Sequence, residues 1–280
     1  MPRYSRDKPA PALEVACSGC PGEEFTTISK KRFGNGVGAE QYPAMKRAAQ
    51  LLIAAVCLAG AAVAETADPN REKIEFLREG ARAELFENIL PFWLKYSFED
   101  RNNGFVGVLY NDRSVDRYAP KGLSVTARIL WFFSAAQRLE PDKKNLKAAD
   151  RAYDYLMKFF RDTDEGGYYW RLQANGFPDD RRKVLYGHAF MVYALSEYYL
   201  ASGNEKALQQ AQELFELIES RFRDQASGAG YFESLNREWK LSAKTPLSER
   251  VPSGGKTMNA HLHVLEAYAN LYRAWPDPRV

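Results

Sequence analysis

The sequence predicts an all-α protein and, more narrowly, an α/α toroid, in which inner helices surround a hollow and outer helices face water. Three observations carry this. Helical segments alternate between amphipathic ones and ones that are apolar nearly all round. Each amphipathic segment ends in an Asp, a Gly-rich turn and an aromatic tip, and Asp100, Asp162 and Asp224 recur 62 residues apart, from 100 to 162 and from 162 to 224. Two-residue alternation is confined to the turns, which argues against a β-rich domain. A fixed period of this kind marks stacked helical hairpins, each covering its neighbour's apolar face.

The segments follow in order. Asp68-Pro69 supplies a cap and a first-turn proline, and a helix to about Ser97 places Ile74, Leu77, Ala81, Leu85 and Ile89 on one core-facing side. After the turn DRNNGFVGVLYND, a helix over about Lys121–Arg138 is apolar on most sides through Leu123, Val125, Ala127, Ile129, Leu130, Phe132 and Phe133. Leu146, Ala149, Tyr153, Leu156 and Phe160 form an amphipathic third helix ended by DTDEGGYYW, and Val184–Leu200 a nearly all-apolar fourth. Ala207, Leu208, Ala211, Leu214, Phe215 and Ile218 form an amphipathic fifth, ended by DQASGAGYFES.

The sixth, Lys256–Trp275, is the most informative. Asn259, His263, Glu266 and Asn270 share one stripe at helical spacing, while Leu262, Leu265, Ala269 and Tyr272 form a second stripe and Ala260, Val264, Ala267 and Leu271 a third. A helix so apolar is expected to be buried, and its polar stripe then faces a wet cavity, a polar ligand or partners within the core. Aligning ILWFFSAAQR, MVYALSEYYL and VLEAYANLYR makes Arg128, Phe190 and His263 equivalent. Ser124, Tyr186 and Asn259 lie one turn earlier, and Trp131, Tyr193 and Glu266 one turn later. Arg128, Tyr186, Asn259, His263 and Glu266 are therefore expected to point into one central space. A buried Arg charge needs a partner, either a ligand or an ion pair, with Glu266 the candidate.

Composition bounds the rest. The 45% hydrophobic content fits a globular protein with ample core; a net charge of +3 argues neither for nor against an acidic partner, and no basic patch interleaved with aromatics suggests nucleic acid. From Met45, Lys46 and Arg47, the apolar run Ala48–Ala62 and the small residues Ala62-Val63-Ala64 read as a signal peptide over 45–64, cleaved after Ala64. A periplasmic or secreted location follows, without stable membrane insertion; the competing reading is a buried helix. Residues 1–44 are then a disordered extension, explained by a start codon placed upstream of Met45. Cys17, Cys20 and Cys57 all precede the cleavage, so the mature chain has neither disulfides nor thiolate metal sites.

NILPFW (88–93), KGLSVTARILWFFSAA (121–136), GGYYW (166–170), YGHAFMVYALSEYY (186–199), GYFE (230–233) and KTMNAHLHVLEAYANLYR (256–273) resemble the N-acylglucosamine 2-epimerase family, in its cellobiose (mannobiose) 2-epimerase branch. The likeness runs from about Glu72 to Trp275. It implies an (α/α)6 barrel of twelve helices with neither metal nor organic cofactor. It also implies a small-molecule sugar as partner and epimerisation at carbon 2 of the reducing-end residue of a β-1,4-linked disaccharide. The ring opens, a base takes the carbon 2 proton, and a cis-enediolate is reprotonated on the other face. By this resemblance Arg128 binds the developing oxyanion, Tyr186 and Asn259 bind sugar, and His263 lies near the ring oxygen and carbon 1 hydroxyl and assists opening. Trp131 and Glu266, placed by the repeat, complete the candidate substrate-binding set. His188 stands where this branch more often has glutamine and is read as packing.

One departure stands out. The family's two proton-transferring histidines lie on later inner helices, one in a G-H-D-I-E-like motif, whereas this sequence has three histidines, His188, His261 and His263. His261 is two residues from His263 and points away from it. PDPRV at the end does not resemble the expected continuation. Residues 65–280 are therefore expected to form about half of the barrel, three hairpins, inactive alone. The alternatives are an N-acylglucosamine 2-epimerase or aldose–ketose isomerase of the same family, and a non-catalytic sugar-binding module. An (α/α)6 glycoside hydrolase would need two carboxylates across a sugar, for which only Glu266 and Asp100 offer themselves.

Overall fold

The computed structural model describes residues 70–241, 252 and 254–280. The chain divides into two compact units at Glu72/Lys73, and the architecture below is that of the second, Lys73–Val280. The leader pattern at 45–64, the extension 1–44 and the three cysteines lie outside the described residues.

Three helical hairpins follow one another. The first outer helix runs as α1 (Arg71–Ala83), a π-helical turn at Glu84–Ile89 and α2 (Leu90–Tyr96), and leads to the inner helix α3 (Leu123–Leu139). The second hairpin pairs outer α4 (Lys143–Tyr155) with inner α5 (Leu185–Ser202), and the third outer α6 (Glu205–Leu217) with inner α7 (Met258–Ala274). Inner helices pack in series, α3 on α5 and α5 on α7, while α4 lies against α3 and α6 against α5. This is an arc of an α/α toroid, about half of an (α/α)6 barrel.

The caps explain the boundaries. The outer helices α4 and α6 begin where Asp142 and Asn204 accept backbone N–H groups of their first turns. The inner helices α3 and α5 have no such cap; the first N–H of each is taken by the next hairpin, Leu123 donating to the Trp170 carbonyl and Leu185 to that of Glu233. Short strands reinforce the strap: Lys121–Gly122 pairs with Arg171–Leu172, and Lys183–Val184 with Ser234–Leu235. Beyond α4 and α6, π-helical turns at Leu156–Phe160 and Ile218–Phe222 end in the fully buried Phe160 and Phe222.

The repeat also builds a lock beneath each inner helix. Lys183 Nζ donates to Asp162 at 2.8 Å and to the Gly166 carbonyl at 2.7 Å, and Lys256 Nζ donates to Asp224 at 2.6 Å and to the Ala229 carbonyl at 2.6 Å. In the first hairpin Lys121 pairs with Glu99 at 2.7 Å, not with Asp100, whose side chain is fully exposed. The period of Asp residues thus marks a shared lock in two hairpins, and the neighbouring carboxylate takes the role in the first.

Two expected core faces are bare. Ile74 and Leu77 on α1 are 57% and 60% exposed, and α1 buries no residue. On α7, Leu262, Leu265 and Tyr272 are each more than half exposed. Both faces are apolar, as the periodicity predicts, but they are open to solvent. Among the described residues, the main inner-helix neighbour of α7 is α5.

Candidate active site

Side chains from the three inner helices meet in one cluster, which centres on Phe190 of α5. The Arg128 guanidinium carbon lies 4.5 Å from the Phe190 ring centroid. The His263 ring lies 4.7 Å from Phe190 and 4.8 Å, edge to face, from Tyr186, which is itself 5.0 Å from Phe190. Residues on α3, α5 and α7 are thereby brought together as the repeat predicts. One turn on, Trp131 and Tyr193 meet at 5.3 Å. Burial pushes the Tyr193 phenol up, with the Glu266 and Glu197 carboxylates adding to the effect, so it stays neutral.

Glu266 does not pair with Arg128. Its carboxylate lies 2.6 Å from His263 Nδ1, one turn away on the same helix, and no carboxylate among the described residues is within ion-pair distance of Arg128. The reason is local: spacing of three on a helix brings two side chains together without crossing the hollow. A carboxylate accepts from Nδ1–H, which leaves Nε2 as the free acceptor, the arrangement that orients an imidazole for proton exchange. Asn259 is exposed on the first turn of α7, one turn before His263. Asn270, predicted in the same stripe, is instead a buried and satisfied group, donating to the Tyr193 carbonyl at 3.2 Å and accepting from Arg273. Below it Arg138 donates to Glu197 at 2.6 Å, tying α3 to α5.

The other two histidines are structural. His188 is fully buried; its Nδ1 bonds the Val184 carbonyl at 2.8 Å and its Nε2 accepts from the Tyr168 N–H at 3.1 Å. Burial drives its pKa down to about 3, only partly opposed by the Val184 hydrogen bond. His261 repeats the geometry one hairpin on, with the Thr257 carbonyl at 2.6 Å and the Tyr231 N–H at 3.0 Å. Both rings press on a glycine, Gly167 or Gly230, that adopts positive φ and where a Cβ would come within 2.7 Å and 2.5 Å of the imidazole. His263 is thus the histidine that the site can use. Among the described residues no cluster of three His, Cys, Asp or Glu could hold a metal ion.

Two features escaped the sequence reading: the His263–Glu266 pair, whose spacing was visible, and Phe190, which in sequence looks like ordinary core.

The sequence profile of the N-acylglucosamine 2-epimerase (GlcNAc 2-epimerase) family matches residues 104–279. The chain is 42% identical over 206 residues to a cellobiose 2-epimerase of Bacteroides fragilis, covering 74% of this chain and 52% of that one. It is 42% identical over 199 residues to one of Ruminococcus albus, covering 71% and 50%. The structure of cellobiose 2-epimerase from Spirochaeta thermophila DSM 6192 superposes with a TM-score of 0.69 at 42% identity, over 76% of this chain and 52% of that one. The chain thus spans about half the length of the relatives it matches. With the profile matching more than half of its residues, this chain belongs to the N-acylglucosamine 2-epimerase family.

Proposed function

We propose that this protein acts on the reducing end of a β-1,4-linked disaccharide, interconverting glucose and mannose configurations at carbon 2. The convergence of Arg128, Tyr186 and the His263–Glu266 pair around Phe190 carries the reading. The cellobiose 2-epimerases among the relatives support the substrate class.

In this reading each group has a separate task. His263, held by Glu266 with Nε2 free, takes the proton of the carbon 1 hydroxyl and hands it to the ring oxygen as the bond between carbon 1 and that oxygen breaks, and reverses the transfer on closure. Loss of the carbon 2 proton leaves an enediolate whose charge the Arg128 guanidinium stabilises. Tyr186 packs beside the sugar. Return of the proton to the opposite face completes an isomerisation that consumes no redox equivalent.

The transfers at carbon 2 need a base and an acid, and a positioned one contributes about 10²–10⁴ in rate. His188 and His261 are committed to backbone hydrogen bonds, so this 280-residue chain offers His263 alone of its histidines. Binding without exchange is therefore expected of the chain by itself. Incubation with cellobiose in deuterated water, followed by NMR, tests both parts. Sugar resonances should shift while the carbon 2 proton persists. Absence of any binding sinks the sugar reading; exchange that disappears in R128A or H263A shows that the chain needs no further histidine.

A further inference from the structure

The side chain touched by most of the site has no acid–base chemistry of its own. Phe190 is 6% exposed, and Arg128, Tyr186 and His263 all lie within 5.0 Å of it by the distances given above. Helix α3 supplies an internal comparison. Arg138, ten residues further along the same helix, is clamped by the Glu197 carboxylate at 2.6 Å. Arg128 rests on an aromatic face instead, with no carboxylate partner among the described residues.

The two modes leave different things free. A carboxylate takes N–H donors from the edge of the guanidinium and cancels its charge. An aromatic ring attracts the cation through its quadrupole and leaves the forked N–H edge and the charge available to a second anion. A site that must stabilise a transient oxyanion gains from the second mode. A permanent counter-ion would compete with the one formed during reaction.

We propose that Phe190 is a positioning residue, holding Arg128 by its face with the N–H edge unpaired, so that the site prefers an anionic open-chain sugar to the neutral polyol of the same length. This rests on the sugar reading above. The natural probes are two open-chain derivatives of cellobiose. Its aldonate carries a carboxylate at carbon 1, at the end where an enediolate holds its charge, and its alditol carries a neutral hydroxyl there.

Dissociation constants of the full chain for the aldonate and the alditol, by calorimetry or NMR titration, read out the preference directly. The unsubstituted chain should favour the aldonate. F190L, which keeps the apolar volume but removes the ring, should lose about two- to fivefold of that preference, the range expected for a partly exposed cation–π contact. Its affinity for the alditol should hold. F190Y, which keeps the face, should retain the preference, and R128M should abolish it, with no further change when F190L is added. A preference that survives in F190L, or is lost in F190Y, overturns the role of Phe190. If F190L does not fold by circular dichroism, F190Y and R128M still decide the matter. Equal binding of both sugars by the unsubstituted chain overturns this inference and leaves the sugar site standing. Binding of neither overturns both.

Discussion

Helices α5 and α7 begin almost identically and end up in different surroundings. Each follows a lysine that reaches back to an aspartate, and each carries a histidine, His188 or His261, that accepts the N–H of an aromatic turn residue. Register set by those histidines makes Ala189 equivalent to Leu262 and Val192 to Leu265. Ala189 and Val192 have no exposed surface, as do Ala127 and Leu130 one hairpin earlier, whereas Leu262 and Leu265 are more than half exposed. Local sequence therefore writes the same helix start three times, and the neighbour decides what it becomes. The second hairpin is sealed by the loop of the third: Arg237 donates to Asp162, and Trp239 packs on His188 and Phe222.

The sharpest way to break this comparison is to place the same charge at equivalent positions. V192D buries an unpaired carboxylate in a packed interior and should cost on the order of 5 kcal/mol, enough to unfold a marginal domain. L265D should stay within about 0.5 kcal/mol of the unsubstituted chain. Urea denaturation of both, read by circular dichroism, checks the contrast; similar losses would mean that the outer face of α7 is covered in solution.

The locks come next. Lys183 and Asp162 are both fully buried, and Arg237 completes the group. Burial opposes ionisation of Asp162, but hydrogen bonds from Arg237, Lys183 and the Glu165 backbone outweigh it and hold the carboxyl well below the usual range. K183M should cost about 3 kcal/mol by leaving an under-compensated buried charge. The matching pair Lys256–Asp224 is partly exposed, so K256M should cost a small fraction of that. Equal effects in urea would show that the covering loop contributes nothing.

Acid sensitivity should separate the hairpins further. His188 is neutral in the fold, with its pKa driven down to about 3 by burial, against an ordinary value near 6.5. Its contribution is complete above about pH 6.5 and is lost as pH falls from there towards about 3, because the unfolded chain takes up the proton first. Between pH 6.5 and 4.5 that amounts to roughly 2–3 kcal/mol. H188Q can still accept from the Tyr168 N–H, and should flatten the stability curve over this window. An unchanged slope in H188Q would place the acid-sensitive group elsewhere.

These contrasts also show what was legible beforehand. The alternation of outer and inner helices could be read because α5 is apolar all round while α4 and α6 are not. Convergence of Arg128, Tyr186 and His263 could be read because a repeat carries one position into the next hairpin. Periodicity names an apolar face but not its neighbour, hence the bare Leu262 and Leu265. The π-helical turns change a hydrogen-bond register without changing composition. Glu99 and Asp100 are adjacent carboxylates, and only the backbone decides which meets Lys121. Helical spacing leaves Glu266 free to meet either Arg128 across the hollow or His263 one turn away, and the fold brings it to His263.

The smallest effect concerns how an inner helix starts. Val184, before α5, offers no capping side chain, and the strap from Glu233 takes the first N–H of the helix. Thr257, before α7, accepts from the Ala260 N–H at 3.1 Å and donates its hydroxyl to Glu233 at 2.5 Å. Burial raises the Glu233 pKa, and that hydroxyl is one of the groups that offset it. A cap matters where, among the described residues, no strap takes the first N–H of the helix. T257V should therefore cost about 1 kcal/mol in urea denaturation. V184T should gain nothing, since the strap already anchors the first N–H of α5 and a hydroxyl at this fully buried position would be desolvated. A gain from V184T equal to the loss from T257V would show that the strap does not substitute for a cap.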